Sequence, residues 1–312
     1  MRQAFIKLHI SILLAGFTGI FGKIITLNEG LLVWYRMLIT AIIMLLVLFT
    51  PPNPLKGGLE KRPSFPPFRG SGGESGGGMS FRMFGVGALL ALHWVFFFGS
   101  IKASNVSIGV ICFALTGFFT ALLEPLMNKR RISLKEVAFS LITLLGILLI
   151  FHFDARYRTG ILLGIVSALL AALFTITNKQ LGKEYPSSVM LLYEMIGGFL
   201  LLSFLMPFYL YFFPTESIIP TGKDFLYLLV FSVFCTALLY LLQIDVLKTI
   251  SAFTVNLSYN LEPVYSIIIA MLFLGEAKEL NLYFYIGLGL IILSVLLQSW
   301  NVWRTSQPIA SI

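Results

Sequence analysis

The sequence predicts an all-α polytopic membrane protein, with ten transmembrane helices arranged as two inverted five-helix repeats. Three observations lead there. The 312-residue chain is 58% hydrophobic and only 12% charged, whereas a soluble domain carries about 25% charged residues. Its mean hydropathy is +0.92, and the apolar residues come in runs long enough to cross a ~30 Å hydrocarbon core as helices. Finally, the segment 102–136 recurs 146 positions later with loops of opposite charge.

Ten apolar segments follow one another at 6–25, 31–49, 81–101, 106–127, 134–152, 159–178, 188–210, 224–243, 251–274 and 282–302. The ten-residue alternation of a membrane β-barrel is not visible. The first segment follows Met1-Arg2-Gln3-Ala4-Phe5-Ile6-Lys7 and lacks a small-residue cleavage site, so it is expected to remain as a span. Residues 51–80 open on Pro51-Pro52-Asn53-Pro54 and run through a Gly/Ser tract to Gly78. That composition cannot bury a core and reads as a flexible loop, set within an insertion at 50–80.

Orientation follows from Lys and Arg. With the N-terminus inside, fifteen of the basic residues fall on the cytoplasmic side and seven on the outer side. The net charge of +8 is then explained by residues flanking spans at the cytoplasmic leaflet, and calls for no nucleic acid. Both termini are expected to be cytoplasmic, in a bacterial inner membrane. An odd number of spans per half turns the second half over, giving repeats at 1–155 and 156–312.

The repeat register pairs Ile101-Lys102 with Leu247-Lys248, Trp94 with Tyr240, and Thr116-Gly117 with Glu262-Pro263. After the pair, one copy runs into Asn128-Lys129-Arg130-Arg131 and the other into Leu274-Gly275-Glu276-Ala277. Inverted repeats of this kind build transporters whose sites lie at the repeat interface near the bilayer midplane. A looser alignment sets Lys23 opposite Lys179 and Tyr35-Arg36 opposite Tyr193-Glu194. Lys23 and Lys179 fit either snorkelling or a pore lining. Arg36 and Glu194 lie several residues inside their spans, where a lipid-facing charge costs about 2.5–3.5 kcal/mol, so each is expected to face the bundle interior.

Glu262-Pro263 sits near the middle of the ninth segment. Proline removes the helical bond to the Tyr259 carbonyl and breaks or kinks the helix, and irregular backbone at that depth belongs where it is buried or lines a wet cavity. Glu262 there can bind a cation or carry a proton, or else act as a neutral, hydrogen-bonded glue between helices. Asn256, Ser258, Tyr259 and Asn260 add polar groups. His93 and Trp94 lie in the third segment, and His93 fits either a cavity role or a packed one. Glu124-Pro125 is expected to be structural, near the Lys129-Arg130-Arg131 cluster. Gly16, Gly19 and Gly22 share a helix face and mark close helix approach. Cys112 and Cys235 read as small packing residues rather than a disulfide or a metal pair. No catalytic constellation, metal motif or nucleotide motif is present in the sequence, and no cofactor is implied.

Leu261-Glu262-Pro263 with Phe273-Leu274-Gly275-Glu276, the register of 118–123, and Tyr35-Arg36 together resemble the drug/metabolite transporter superfamily, in particular its EamA-type members. The resemblance implies ten helices, a central cavity, and transport, often export, of amino acids or related small metabolites. The first half departs from it, with Thr116-Gly117 in place of Glu-Pro and Lys129-Arg130 in place of Gly-Glu. The expected site gathers Glu262, Asn256, Tyr259, His93, Trp94, Lys23, Arg36 and Glu194 around a small-molecule substrate. Export of amphipathic cations, and a membrane adaptor acting through the 51–80 loop, are the alternatives the residues leave open.

Overall fold

The computed structural model describes residues 2–49, 76–150, 157–182, 185–215, 217–273 and 282–306. Within them the regular structure is entirely helical. In chain order the helices are α1 (Arg2–Gly16), α2 (Thr18–Ile24), α3 (Glu29–Phe49), α4 (Gly76–Ala103), α5 (Val106–Phe113), α6 (Leu115–Met127) and α7 (Leu134–Ile150). They continue with α8 (Arg158–Leu181), α9 (Ser187–Phe212), α10 (Gly222–Ser232), a π segment (Val233–Leu238) and α11 (Leu239–Leu247). The last are α12 (Ala252–Ser258), a 3-10 turn (Tyr259–Leu261), α13 (Glu262–Phe273) and α14 (Leu282–Ser306).

Seven helical rods among the described residues are long and apolar enough to cross a bilayer. They are Arg2–Ile24, Glu29–Phe49, Phe81–Ala103, Val106–Met127, Arg158–Leu181, Ser187–Phe212 and Gly222–Leu247. The shortest has 21 residues, which at ~1.5 Å per residue spans about 30 Å. Their outward faces carry Leu46, Phe49, Leu162, Phe204 and Phe208, all exposed. In water such a surface would drive aggregation; in lipid it is the solvated face. The protein is therefore a multi-pass membrane protein.

Small residues set how closely the rods approach. A Cβ on Gly87 of α4 would collide with the Glu194 backbone carbonyl of α9, and one on Gly197 would sit 2.5 Å from Phe84 Cα. The α4–α9 crossing is thus backbone against backbone, the close packing small residues allow in membranes. The predicted glycine face of the first span divides among three partners. Gly16 meets Tyr265, Gly19 meets Val106 and Gly22 meets Phe98.

Three details differ from expectation. Helix α4 begins at Gly76, inside the tract read as loop, because a helical glycine costs only about 1 kcal/mol against alanine; residues 51–75 lie outside those described. Glu124 does not turn to the basic cluster: its carboxylate accepts the Phe253 N–H at 3.0 Å, capping the start of α12, where the helix dipole favours a negative group. The Tyr259 carbonyl that Pro263 leaves without its helical donor is not orphaned, since the Glu262 N–H turns back to it in the 3-10 turn. Leu274, Gly275 and Glu276 lie outside the described residues.

Helix α6 ends in a left-handed turn. Lys129 has φ 52°, and Arg130 N–H reaches the Pro125 carbonyl at 2.8 Å, the bonding of a Schellman cap. The resemblance places glycine here, the residue that takes this conformation without strain.

Candidate functional site

Five of the sequence-predicted residues meet around one cavity at the centre of the bundle. Arg36, His93, Trp94, Tyr259 and Glu262 line it, together with Phe97, Phe113, Tyr240, Gln243, Leu239, Ala15 and Thr18. Its walls come from α1, α2, α3, α4, α5, α11, the 3-10 turn and α13. The cavity is narrow, about 40 Å³, room for about three waters and too little for an amino acid.

Arg36 is the most constrained of these groups. Its guanidinium is fully buried, 3.6 Å above the Trp94 ring centroid and 4.1 Å from that of Phe231. Nε donates to Thr236 Oγ1 at 2.7 Å and Nη2 to the Cys235 carbonyl at 2.8 Å. Both acceptors lie in the π segment, and Thr236 Oγ1 in turn donates to the Phe231 carbonyl at 3.1 Å. A π bulge shifts the backbone ladder of its helix and is frequent at functional sites; here it turns a carbonyl toward the arginine. Cation–π contacts of this desolvated kind contribute about 2 kcal/mol. The third nitrogen, Nη1, has no hydrogen-bond partner among the described residues.

Glu262 is 97% shielded, at the first position of α13. It shares the cavity wall with Arg36, yet the two form no direct ion pair, the Lys7–Asp245 contact being the ion pair among the described residues. Gln243, one turn beyond Tyr240 on α11, leaves its Oε1 without a partner. The cavity therefore presents an unmatched donor on Arg36, an unmatched acceptor on Gln243 and an acidic group on Glu262, between aromatic walls.

Trp94 donates its indole N–H to the Tyr240 hydroxyl at 2.8 Å, and the two rings meet edge to face with centroids 5.3 Å apart. The Tyr259 hydroxyl donates to Ser11 Oγ at 3.1 Å. His93 sets Nδ1 against the Ser167 carbonyl and hydroxyl, at 3.0 and 2.8 Å, and stacks on Phe113. One edge of that imidazole is thus held by α8 while the residue still lines the cavity.

The other three predicted residues lie elsewhere. Asn256 donates to Thr120 Oγ1 at 2.8 Å and joins α12 to α6. Lys23 stands exposed in the last turn of α2. Glu194 is fully buried on α9, beside Asn178 of α8 and outside the cavity wall. Lys179, aligned with Lys23, turns its ammonium to the Leu247 carbonyl at 3.1 Å and to that of Ile250. Sequence reasoning left Tyr240, Gln243, Phe97 and Phe113 out of the site. Gln243 carried a signal, an uncharged amide amid apolar residues of α11, and Tyr240 carried one as the repeat partner of Trp94, whereas aromatic residues are too common in this chain to single out Phe97 and Phe113. Among the described residues no cluster of His, Cys, Asp or Glu could hold a metal.

A polytopic helical bundle with a charged, aromatic-walled cavity at its centre is the architecture of a solute carrier. The chain belongs to the EamA-like transporter family, which it matches over residues 4–152 and 158–300. It is 25% identical over 213 residues to the uncharacterized transporter YxxF of Bacillus subtilis, covering 66% of this chain and 65% of that one. It is 26% identical over 206 residues to an uncharacterized transporter of Clostridium kluyveri, covering 62% of this chain and 63% of that one. The matches thus span a little under two thirds of each relative's length. A solved crystal structure superposes with a TM-score of 0.67 at 15% identity, covering 98% of this chain and all of the other, which is a likeness of fold.

Proposed function

We propose that the protein is a secondary transporter that moves small polar metabolites, amino acids or related compounds, outward across the bacterial inner membrane by alternating access around the central cavity. The observation that carries this reading is the pairing of unmatched polar groups within one cavity. Arg36 Nη1 and Gln243 Oε1 lack partners, and buried polar groups without partners are costly unless a ligand completes them. A solute bearing both an acceptor and a donor would satisfy them, with Glu262 facing its cationic end. Trp94, Tyr240, Phe97 and Phe113 would enclose the apolar part.

The architecture we propose is the ten-helix inverted repeat, with units 1–155 and 156–312 and both termini cytoplasmic. Beyond the seven long rods, α7, the pair α12–α13 and α14 supply three further apolar helices. Trp94 and Tyr240, which touch, are 146 positions apart, the offset read from the sequence. The helix interruption at Ala114, between α5 and α6, recurs in the 3-10 turn at the same offset. Helices α7 and α14, last in each unit, pack together, with Ser294 Oγ donating to the Phe139 carbonyl at 2.6 Å. Because the cavity is narrower than a metabolite, a solute enters only when the walls move apart, as alternating access requires.

The test compares the small-molecule content of medium from cells overproducing the wild-type chain, the Glu262→Gln chain and neither. A solute enriched by the wild type alone supports export through the cavity and names the substrate class. An enriched amphipathic cation in its place would favour the drug-exporter alternative. Equal media in all three would reject export.

A further inference from the structure

Outside the cavity, two fully buried polar side chains, Glu194 and Asn178, stand next to each other and turn to one another for a partner. Glu194 on α9 is fully buried, and among the described residues its carboxyl has no well-formed hydrogen bond, with Asn178 as its polar neighbour. Asn178 on α8, beside it, is also fully buried, and among the described residues its amide finds no well-formed hydrogen bond beyond its approach to Glu194. The spot is rigid, because the Glu194 backbone carbonyl is pressed against Gly87 of α4.

Among the described residues no cation faces this carboxyl from the helices packed around it. From α8, Lys179 directs its ammonium to the carbonyls of Leu247 and Ile250. From α3, the Arg36 guanidinium is committed to the π segment and to Trp94. From α4 come Gly87 and Phe84, the latter against the Tyr193 ring. From α11 come Tyr240, whose hydroxyl is engaged by the Trp94 indole N–H, and Asp245, engaged by Lys7. A bare carboxylate in such a place costs several kcal/mol, and in membranes buried charges are paired. The charge must therefore be matched by something small. A metal ion is a poor fit, since hard cations take about six oxygen ligands and among the described residues no cluster of acidic groups could hold one.

We propose that Glu194 is a proton-binding site of this protein, separate from the solute cavity and opened or shut by movement of α8 and α9 against α11. The link to the cavity is α11 itself. Tyr240 and Gln243 line the cavity, and α11 also packs against α8 and α9, the helices that carry Asn178 and Glu194. A solute that draws α11 toward Arg36 thereby changes the surroundings of Glu194, so the proton is held in one conformation and exchanged in the other. The coupling to movement rests on the transporter reading, whereas the proton site does not and is tested without transport.

The experiment is infrared spectroscopy of the full-length protein in lipid bilayers, following the C=O stretch of protonated carboxyl groups at neutral pH, with H2O exchanged for D2O to mark it. The wild type shows a buried band that fades on alkalinisation and is indifferent to added sodium chloride. Glu194→Gln loses that band, Glu262→Gln keeps it, and Glu194→Asp retains it at a shifted frequency. Should Glu194→Gln fail to fold, as judged by gel filtration, Glu194→Asp decides. A wild type without the band, a band intact in Glu194→Gln, an unshifted band in Glu194→Asp, or a band abolished by sodium ions at constant pH would each overturn the proposal.

Discussion

Trp94 and Tyr240 are joined by a 2.8 Å hydrogen bond from the indole N–H to the hydroxyl, with both residues buried and on the wall of the same cavity. In an inverted repeat, two equivalent residues touch only if both lie beside the pseudo-twofold axis, so the proposed repeat would put that axis through the cavity. Tyr240→Phe leaves the indole N–H without an acceptor, and an unpaired buried donor costs about 1–3 kcal/mol. Unfolding of the purified protein in detergent should show that loss. The Trp94→Phe, Tyr240→Phe double variant should cost less than the two singles combined. Additive losses would mean that the bond does not hold the pair together.

Arg36→Lys should be far from conservative. A lysine cannot reach Thr236 Oγ1 and the Cys235 carbonyl as one planar fork, nor lie flat between the rings of Trp94 and Phe231. The expected loss is about 2 kcal/mol of stability, seen as a lower unfolding midpoint. A midpoint equal to wild type would show that the guanidinium stack contributes nothing.

Two glycines of α4 make a matched pair. Gly87→Ala forces its methyl into the Glu194 backbone carbonyl, whereas Gly85→Ala meets nothing within 4 Å. The first should destabilise by about 1–3 kcal/mol through overpacking. The second should be neutral or stabilising by up to about 1 kcal/mol, from the better helix propensity of alanine. The difference between the two midpoints measures how tightly α4 and α9 are locked.

Glu124→Ala should cost about 1–2 kcal/mol, as the loss of a helix N-terminal cap does, while Glu124→Gln, which keeps an acceptor for the Phe253 N–H, should cost less. Neutralising Lys129, Arg130 and Arg131 should leave stability within about 0.5 kcal/mol. A larger effect of the basic cluster than of Glu124→Ala would restore the ion-pairing role that the sequence suggested.

The parts of this structure that were legible in the sequence are those governed by length and periodicity. Long apolar runs marked the spans because nothing else satisfies backbone groups in lipid. Pro263 marked the break before α13 because it lacks an N–H. Arg36 and Glu194 were placed in the interior by the cost of charge in lipid, and both are fully buried. What escaped depends on contacts between distant segments. Val233–Leu238 reads as ordinary apolar helix, and nothing in it announces a π segment. Asn256 and Tyr259 are three positions apart, yet one bonds to Thr120 on α6 and the other to Ser11 on α1. The neighbourhood of Glu194 and Asn178 is likewise set by how α8 and α9 pack.

The most direct measurement is the flux of the solute found in the medium across proteoliposomes carrying purified wild-type or Glu262→Gln protein. Both proteins must first be shown to reconstitute to the same level. The account predicts solute movement with the wild type and a loss of about tenfold or more with Glu262→Gln, equivalent to about 1.4 kcal/mol of lost stabilisation. Equal flux through both proteins would contradict it and move the solute's path away from this cavity.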